Sequence, residues 1–105
     1  MVSIESNKEF NDLVNGEKPF VLDFYADWCG PCQILLPTVE KLAEEYGEKV
    51  TIAKVNVDQQ AELAEMFNVR SIPSLFFMKK NQVKDAHKGM ASEQTLRKKV
   101  DALLA

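Results

Sequence analysis

Two cysteines and one histidine are all that these 105 residues offer as thiolate and imidazole metal ligands. A structural zinc site takes four ligands, and Cys29, Cys32 and His87 cannot fill one. Haem attachment at a C-x-x-C-H pattern is excluded as well, because Gln33 follows the second cysteine. No apolar run approaches the roughly 20 residues of a membrane-spanning helix, so no membrane association is expected. The opening residues, MVSIESNKEF, hold no basic segment followed by an apolar stretch, so no signal peptide is expected. Repeats, linkers and low-complexity segments are missing too. One domain over residues 1–105 is therefore expected, large enough for a real core. With a single cysteine pair and no others, a reducing cytosol is the expected compartment.

Net charge is −3 but is unevenly spread. Residues 1–65 carry thirteen acids and five bases, whereas residues 66–105 carry eight bases and three acids. The basic set includes Lys79, Lys80, Lys84, Lys88, Arg97, Lys98 and Lys99. Overall acidity and the lack of interleaved aromatics oppose nucleic-acid binding, and a solvated helix face and hairpin account for the cluster.

What the chain does have is concentrated in Phe20 to Cys32, FVLDFYADWCGPC. Phe20 to Tyr25 suit a buried strand, and a short turn leads into a helix opening on Cys29-Gly30-Pro31-Cys32. Pro31 fits the first helical turn, where its missing N–H would have had no partner. The cysteines thus sit at the positive end of a helix and the carboxyl end of a strand, where open α/β sheets place their chemistry. Residues three apart in a first turn have Cβ atoms about 5–6 Å apart, and a disulfide prefers about 3.5–4.5 Å. A bridge can close with modest distortion, helped by Gly30 and Pro31, and the pair suits opening and closing. A purely structural disulfide would staple only a tiny loop and constrain the unfolded chain little. Thiol–disulfide chemistry is the better reading, since the motif lies in a βαβ context.

The rest of the chain supplies the frame. Val2 to Ile4 reads as a short strand, and Ser6 to Glu9 have the spacing of a capping box before the stripe Phe10, Leu13, Val14. Asn15-Gly16 ends that helix. The helix after the cysteines is expected to run to Tyr46-Gly47 with Leu35, Val39, Leu42 and Tyr46 on one face. Pro37 within it forgoes a bond to the Gln33 carbonyl and is expected to kink it. Thr51 to Val57 reads as a strand, with Asp58 as cap of a short helix holding Leu63, Ala64, Met66 and Phe67. Ser74 to Met78 and Val83 to His87 form a hairpin. Asn81 tolerates the left-handed conformation and Lys80 does not, so a longer or bulged turn is expected there. Ser92 begins a last helix with Leu96, Val100, Leu103 and Leu104 on one face.

The run FYADWCGPC, with Asp23 upstream, Pro37 downstream and Ser71-Ile72-Pro73 later, resembles the thioredoxin family over nearly the whole chain. The order βαβαβαββα matches that family's α/β fold, a mixed sheet of about five strands flanked by four helices. The resemblance implies a protein-disulfide reductase with no bound cofactor. It would act as a monomer on disulfide-containing client proteins and draw reducing equivalents from NADPH through a thioredoxin reductase.

On this reading Cys29 is the nucleophile, because only the thiolate attacks and a helix N-terminus favours that charge; it is expected to be exposed. Cys32, one turn inward, is expected to be shielded and to resolve the mixed disulfide. Asp23 is anomalous in an apolar strand, since an unpaired buried carboxylate is costly. It is either a satisfied structural carboxylate or a base that deprotonates Cys32 through water, and its place near the cysteines favours the second. Lys54, in the strand Ile52 to Val57, is its expected charge partner. By resemblance Pro73 follows a cis bond and leaves the Ile72 backbone free to pair with an extended client segment. Trp28 and Gly89 match the rims of that groove, although Trp28 also reads as a packed aromatic. The resemblance also implies that Gly30 and Pro31 take part in binding the client.

Three residues depart from the family pattern. Tyr25 replaces the commoner Trp, Gln33 a frequent Lys, and Lys88 an apolar residue beside the groove. These leave the reaction type alone and bear on client preference. The competing class is a docking module that presents the cysteine face without redox turnover. Gly-Pro between the cysteines resembles the reducing members, whereas oxidising relatives generally carry His there.

Overall fold

Phe20, Leu22 and Phe24 alternate with Val21 and Asp23 along a strand that is buried on both sides, and that strand becomes the middle of the sheet. In the computed structural model, which describes residues 1–105, it is β2, Phe20–Tyr25. Before it come β1, Val2–Ser3, and α1, Asn7–Asn15. After it come α2, Gly30–Tyr46, then β3, Thr51–Asn56, and α3, Ala61–Met66. A hairpin of β4, Ser74–Lys79, and β5, Gln82–Lys88, leads to α4, Glu93–Leu104. The sheet order is β1-β3-β2-β4-β5; β1, β3 and β2 are parallel, and β4 runs antiparallel to both β2 and β5. This is the expected mixed five-stranded sheet with four helices.

The period-two alternation of the strands divides the apolar side chains into two cores. Phe20, Leu22, Phe24, Ala53, Val55, Phe76 and Met78 pack with Phe10 of α1 and Leu63 of α3 on one face. Val21, Ile52, Leu75 and Phe77 pack with Leu35, Val39 and Leu42 of α2 and Leu96, Val100 and Leu103 of α4 on the other. A central strand with both faces covered has no solvated side, so a carboxylate on it has nowhere to escape. Asp23 shares the face of Val21, beneath α2.

Several local expectations are met in altered form. Ser6 Oγ accepts from the Glu9 N–H at 3.2 Å, but Glu9 reaches back to the Glu5 amide rather than to that of Ser6. Asp58 does not cap α3. Gln60 stands at that position and makes no side-chain cap bond, while Asn56 Oδ1 accepts from the amides of Asp58 and Gln59. The hairpin turn is the tight two-residue form, not the longer or bulged turn expected. Lys80 and Asn81 adopt φ of 52° and 66°, and Lys79 pairs directly with Gln82. Two residues at positive φ match the twist of the flanking strands, and that match outweighs a penalty for Lys80 of about 1–2 kcal/mol. The irregularity sits higher in the ladder, between Phe77 and Met78. α2 continues as helix through Pro37.

Two of the three basic residues of α4 are engaged by neighbouring acids. Arg97 pairs with Glu45 and Glu93, and Lys99 with Asp85.

Candidate active site

The site forms where β2 ends and α2 begins. Cys29 is the N-cap residue of α2, in an extended conformation, with Pro31 in the first turn. A serine there would offer its hydroxyl oxygen to the free amides of the helix end; here Cys29 Sγ accepts from the Cys32 N–H at 3.2 Å. Cys29 and Cys32 are joined as a disulfide with Cα atoms 5.3 Å apart. The capping geometry singles out one sulfur of the pair. Negative charge on Cys29 Sγ meets a helix N–H and the positive end of a 17-residue helix.

Cys29 is not exposed as expected: it retains 5% of its accessible surface, against 3% for Cys32. Two neighbours account for the difference. Ala26, fully buried, packs beneath both cysteines with Tyr25, Val57 and Ile72 around it. The Ile72 carbonyl lies 3.9 Å from Cys29 Sγ. Cover therefore comes from a segment 43 residues away in sequence, which local pattern does not announce. Gly30 and Pro31, by contrast, are exposed at the surface. A Cβ at Gly30 would meet no atom of this chain, so internal packing does not call for a glycine there.

The Ile72–Pro73 bond is cis. Ser74 Oγ closes the turn by donating to the Ser71 carbonyl at 2.6 Å. The Pro73 carbonyl is taken by the Gly89 N–H at 2.8 Å, and Gly89 has φ of 86°, a conformation suited to glycine. The Ile72 amide and carbonyl bond to no other backbone group. Beside them a shallow hollow of about 170 Å³ is lined by Trp28, Val57, Val69, Arg70 and Ile72 among others. Larger hollows lie elsewhere, one of about 590 Å³ beside Val2 and Lys18; the smaller one is set apart by its Trp28 and Ile72 walls, which flank the cysteines.

Trp28 is 72% exposed, yet its Nε1–H donates to Asp58 Oδ2 at 2.9 Å. An indole is held open beside the disulfide by the residue that sequence had placed as a helix cap. Gln33 donates from Nε2 to the Ala26 carbonyl at 3.4 Å. Ala26, Asp58 and Gln33 thus belong to the site's frame. Gln33 stood out in the sequence only as a departure from the family pattern and Asp58 only as a cap, while Ala26 drew no notice beyond its place in the run FYADWCGPC.

Asp23 is 2% exposed, and its Oδ1 has no hydrogen-bond partner. Burial pushes its carboxyl up to about 7, opposed by the charge of Lys54. Lys54 stands opposite Asp23 in the parallel ladder, but it forms none of the chain's five ion pairs. Its ammonium instead lies 5.5 Å from the centre of the Tyr25 ring. Asp23 is on the sheet face covered by the buried side of α2, from which Cys32, Leu35 and Val39 project.

Lys88, at the end of β5, is exposed and pairs with Ser74, one residue from Pro73. Lys79 and Lys80 lie at the other end of the hairpin, and Lys84 is bonded to Gln82. No group of three metal-ligating side chains comes together anywhere in the chain.

A cysteine pair capping the helix after the middle strand of this sheet, facing a cis-proline turn, defines the class of thioredoxin-fold C-x-x-C proteins. The thioredoxin family model matches residues 1–102, and the chain belongs to the thioredoxin family. It is 36% identical to the chloroplastic M-type thioredoxin of Spinacia oleracea over 99% of its own length, though it spans only 56% of that protein. It is 37% identical to a thioredoxin of Chlorobaculum thiosulfatiphilum, covering 91% of this chain and 90% of that one. The solved thioredoxin of Malassezia sympodialis superposes with a TM-score of 0.90 at 34% identity, over 100% of this chain and 92% of that one.

Proposed function

We propose that the chain is a thiol–disulfide oxidoreductase that reduces protein disulfides through reversible opening and closing of Cys29–Cys32. The observation that carries this is the N-cap geometry: Cys29 Sγ receives a helix N–H beside an Ile72 backbone with unused hydrogen-bonding groups. An extended client segment fits those groups by strand addition, with Trp28, Gly30, Pro31, Pro73, Lys88 and Gly89 around it.

The Cys29 thiolate attacks one sulfur of a client disulfide. A Cys29–client bond forms, the client bond breaks, and one client thiolate leaves and takes a proton from water. Cys32 then gives its proton, through water, to the Asp23 carboxylate and attacks Cys29 Sγ. The second client thiolate leaves, and two electrons have passed from the pair to the client. Asp23 suits this step because burial holds it near 7, so it takes and returns a proton at neutral pH. Lys54 assists by its charge. Reducing equivalents return from NADPH through a thioredoxin reductase, with no cofactor resident in the chain. Residues 1–105 act in this proposal as one domain and as a monomer, in a reducing compartment such as the cytosol.

In the reduced protein Cys29, not Cys32, is expected to alkylate first at neutral pH, since its thiolate has the helix end to itself. Mass mapping of the first modified thiol checks this, and preferential labelling of Cys32 would reverse the assignment.

Lys88 is expected to favour clients with Asp or Glu beside the disulfide over those with Lys, by a few-fold at low salt. It is an exposed charge on β5 opposite Ser74, next to the Pro73 turn, and a rim charge acts on encounter rate and is screened by salt. Acidic and basic disulfide peptides compared on wild type and Lys88→Val at two salt concentrations provide the check. An unchanged preference in Lys88→Val would remove Lys88 from the explanation.

A further inference from the structure

Lys54 is placed by the ladder directly opposite Asp23 on the neighbouring strand, yet its ammonium does not close onto that carboxylate. A lysine stem of four carbons ordinarily carries its charge out to water. Lys54 is half-buried and unpaired, so its ammonium has some other resting place. Tyr25 is two residues beyond Asp23 on β2, so strand alternation puts its side chain on the same face. Its half-buried ring lies 5.5 Å from Lys54 Nζ, inside the roughly 6 Å reach of a cation–π contact. The ring also packs against the cluster of Ala26, Cys29 and Cys32. From the other elements, Leu75 on β4 stands opposite Asp23, and the buried side of α2 over this face carries Leu35, Val39 and Cys32, the last held in the disulfide. The one ionised neighbour acting on Asp23 is Lys54.

We infer that Tyr25 is a positioning residue: its ring anchors the Lys54 ammonium at a fixed stand-off from Asp23, close enough to be felt and too far to pair. This deepens the role proposed above for Asp23 and rests on it for its bearing on turnover. A direct ion pair would hold Asp23 ionised and useless as a shuttle near neutrality, while a lysine lost to solvent would move its titration upward, away from neutrality. The tyrosine at a position where the family commonly has tryptophan keeps an aromatic face, which is the property the anchor needs.

The test is the titration of the Asp23 carboxyl carbon by NMR in the oxidised protein, a readout independent of any client or reductase. Tyr25→Leu is expected to release Lys54 and raise the Asp23 midpoint by about half a unit to one unit. Tyr25→Phe and Tyr25→Trp are expected to leave it in place. Lys54→Met is expected to raise it at least as far, and adding Tyr25→Leu to Lys54→Met is expected to add nothing further. An unchanged or lowered midpoint in Tyr25→Leu overturns the inference. So does an equal shift in the Lys54→Met background, which would mean the ring acts on Asp23 directly. In wild type the Lys54 ε-methylene protons are expected to show an upfield ring-current shift, and an unshifted resonance would refute the anchor without any variant. A normal Asp23 titration pattern with unimpaired turnover in Asp23→Asn would instead sink the proposed role of Asp23 and leave the anchor standing.

Discussion

Cys32→Ser is expected to stall after a single encounter and to accumulate mixed disulfides between Cys29 and client proteins, while Cys29→Ser forms none. The asymmetry follows from the N-cap. Cys29 Sγ has a helix N–H to stabilise its thiolate and is the proposed attacking sulfur; Cys32, inside the first turn of α2, is left to resolve. Resolution in wild type is intramolecular. Well-placed intramolecular groups reach effective concentrations of up to ~10⁵ M or more, so even a poorly placed Cys32 outcompetes millimolar free thiol. Release of client from Cys32→Ser is accordingly expected to slow by about 10²-fold or more. Non-reducing electrophoresis after acid quenching, with mass identification of the linked cysteine, measures this directly. Trapping by Cys29→Ser alone would invert the proposed order of attack.

The strand-turn-helix around the cysteines was legible because period-two apolar residues, a proline suited to a first turn and a lone cysteine pair all agree locally. Asp23 stood out for the same reason, as one carboxylate in FVLDFY. What escaped the sequence was set by partners distant along the chain. Cys29 is covered because the Ile72 carbonyl arrives from 43 residues away. Asp58 left its expected cap for the Trp28 indole, a pairing across 30 residues that no local spacing encodes. Lys80 accepted positive φ because the Lys79–Gln82 register leaves only two residues for the turn. In each case tertiary geometry outweighed a preference of about 1–2 kcal/mol or less.

Asp23→Asn is expected to stabilise the fold above neutral pH and to slow resolution of the mixed disulfide. Folded Asp23 keeps its proton up to about pH 7 against an ordinary value of 3.8. Between those values the folded chain binds more protons than the unfolded one, so its stability falls as pH rises through that window and is level above it. A shift of about three units corresponds to about 4 kcal/mol, lost to wild type at pH 8 and not to the variant. The two proteins are therefore expected to differ most above pH 7 and to converge towards pH 4, by urea or thermal unfolding of the oxidised form. Resolution, followed by stopped-flow release of client from the mixed disulfide, is expected to slow by up to about 10²-fold. Asp23→Asn that is destabilised at pH 8 and turns over normally would make Asp23 a structural group only.

The double variant Cys29→Ser/Cys32→Ser separates redox turnover from docking, since retained biological activity would mean that the cysteine face works without electron transfer. The measurement that reaches the central claim most directly is the equilibrium of the pair itself. The protein is incubated in a series of glutathione and dithiothreitol buffers of defined potential, quenched with acid and alkylated. The fractions with Cys29 and Cys32 free or bridged are then read by mass. A reductant of client disulfides is predicted to show one two-electron transition at the reducing end of the thiol–disulfide scale, near the family's value of about −270 mV. A midpoint near the oxidising end, at about −120 mV, or a pair that never opens across the series, would contradict the account.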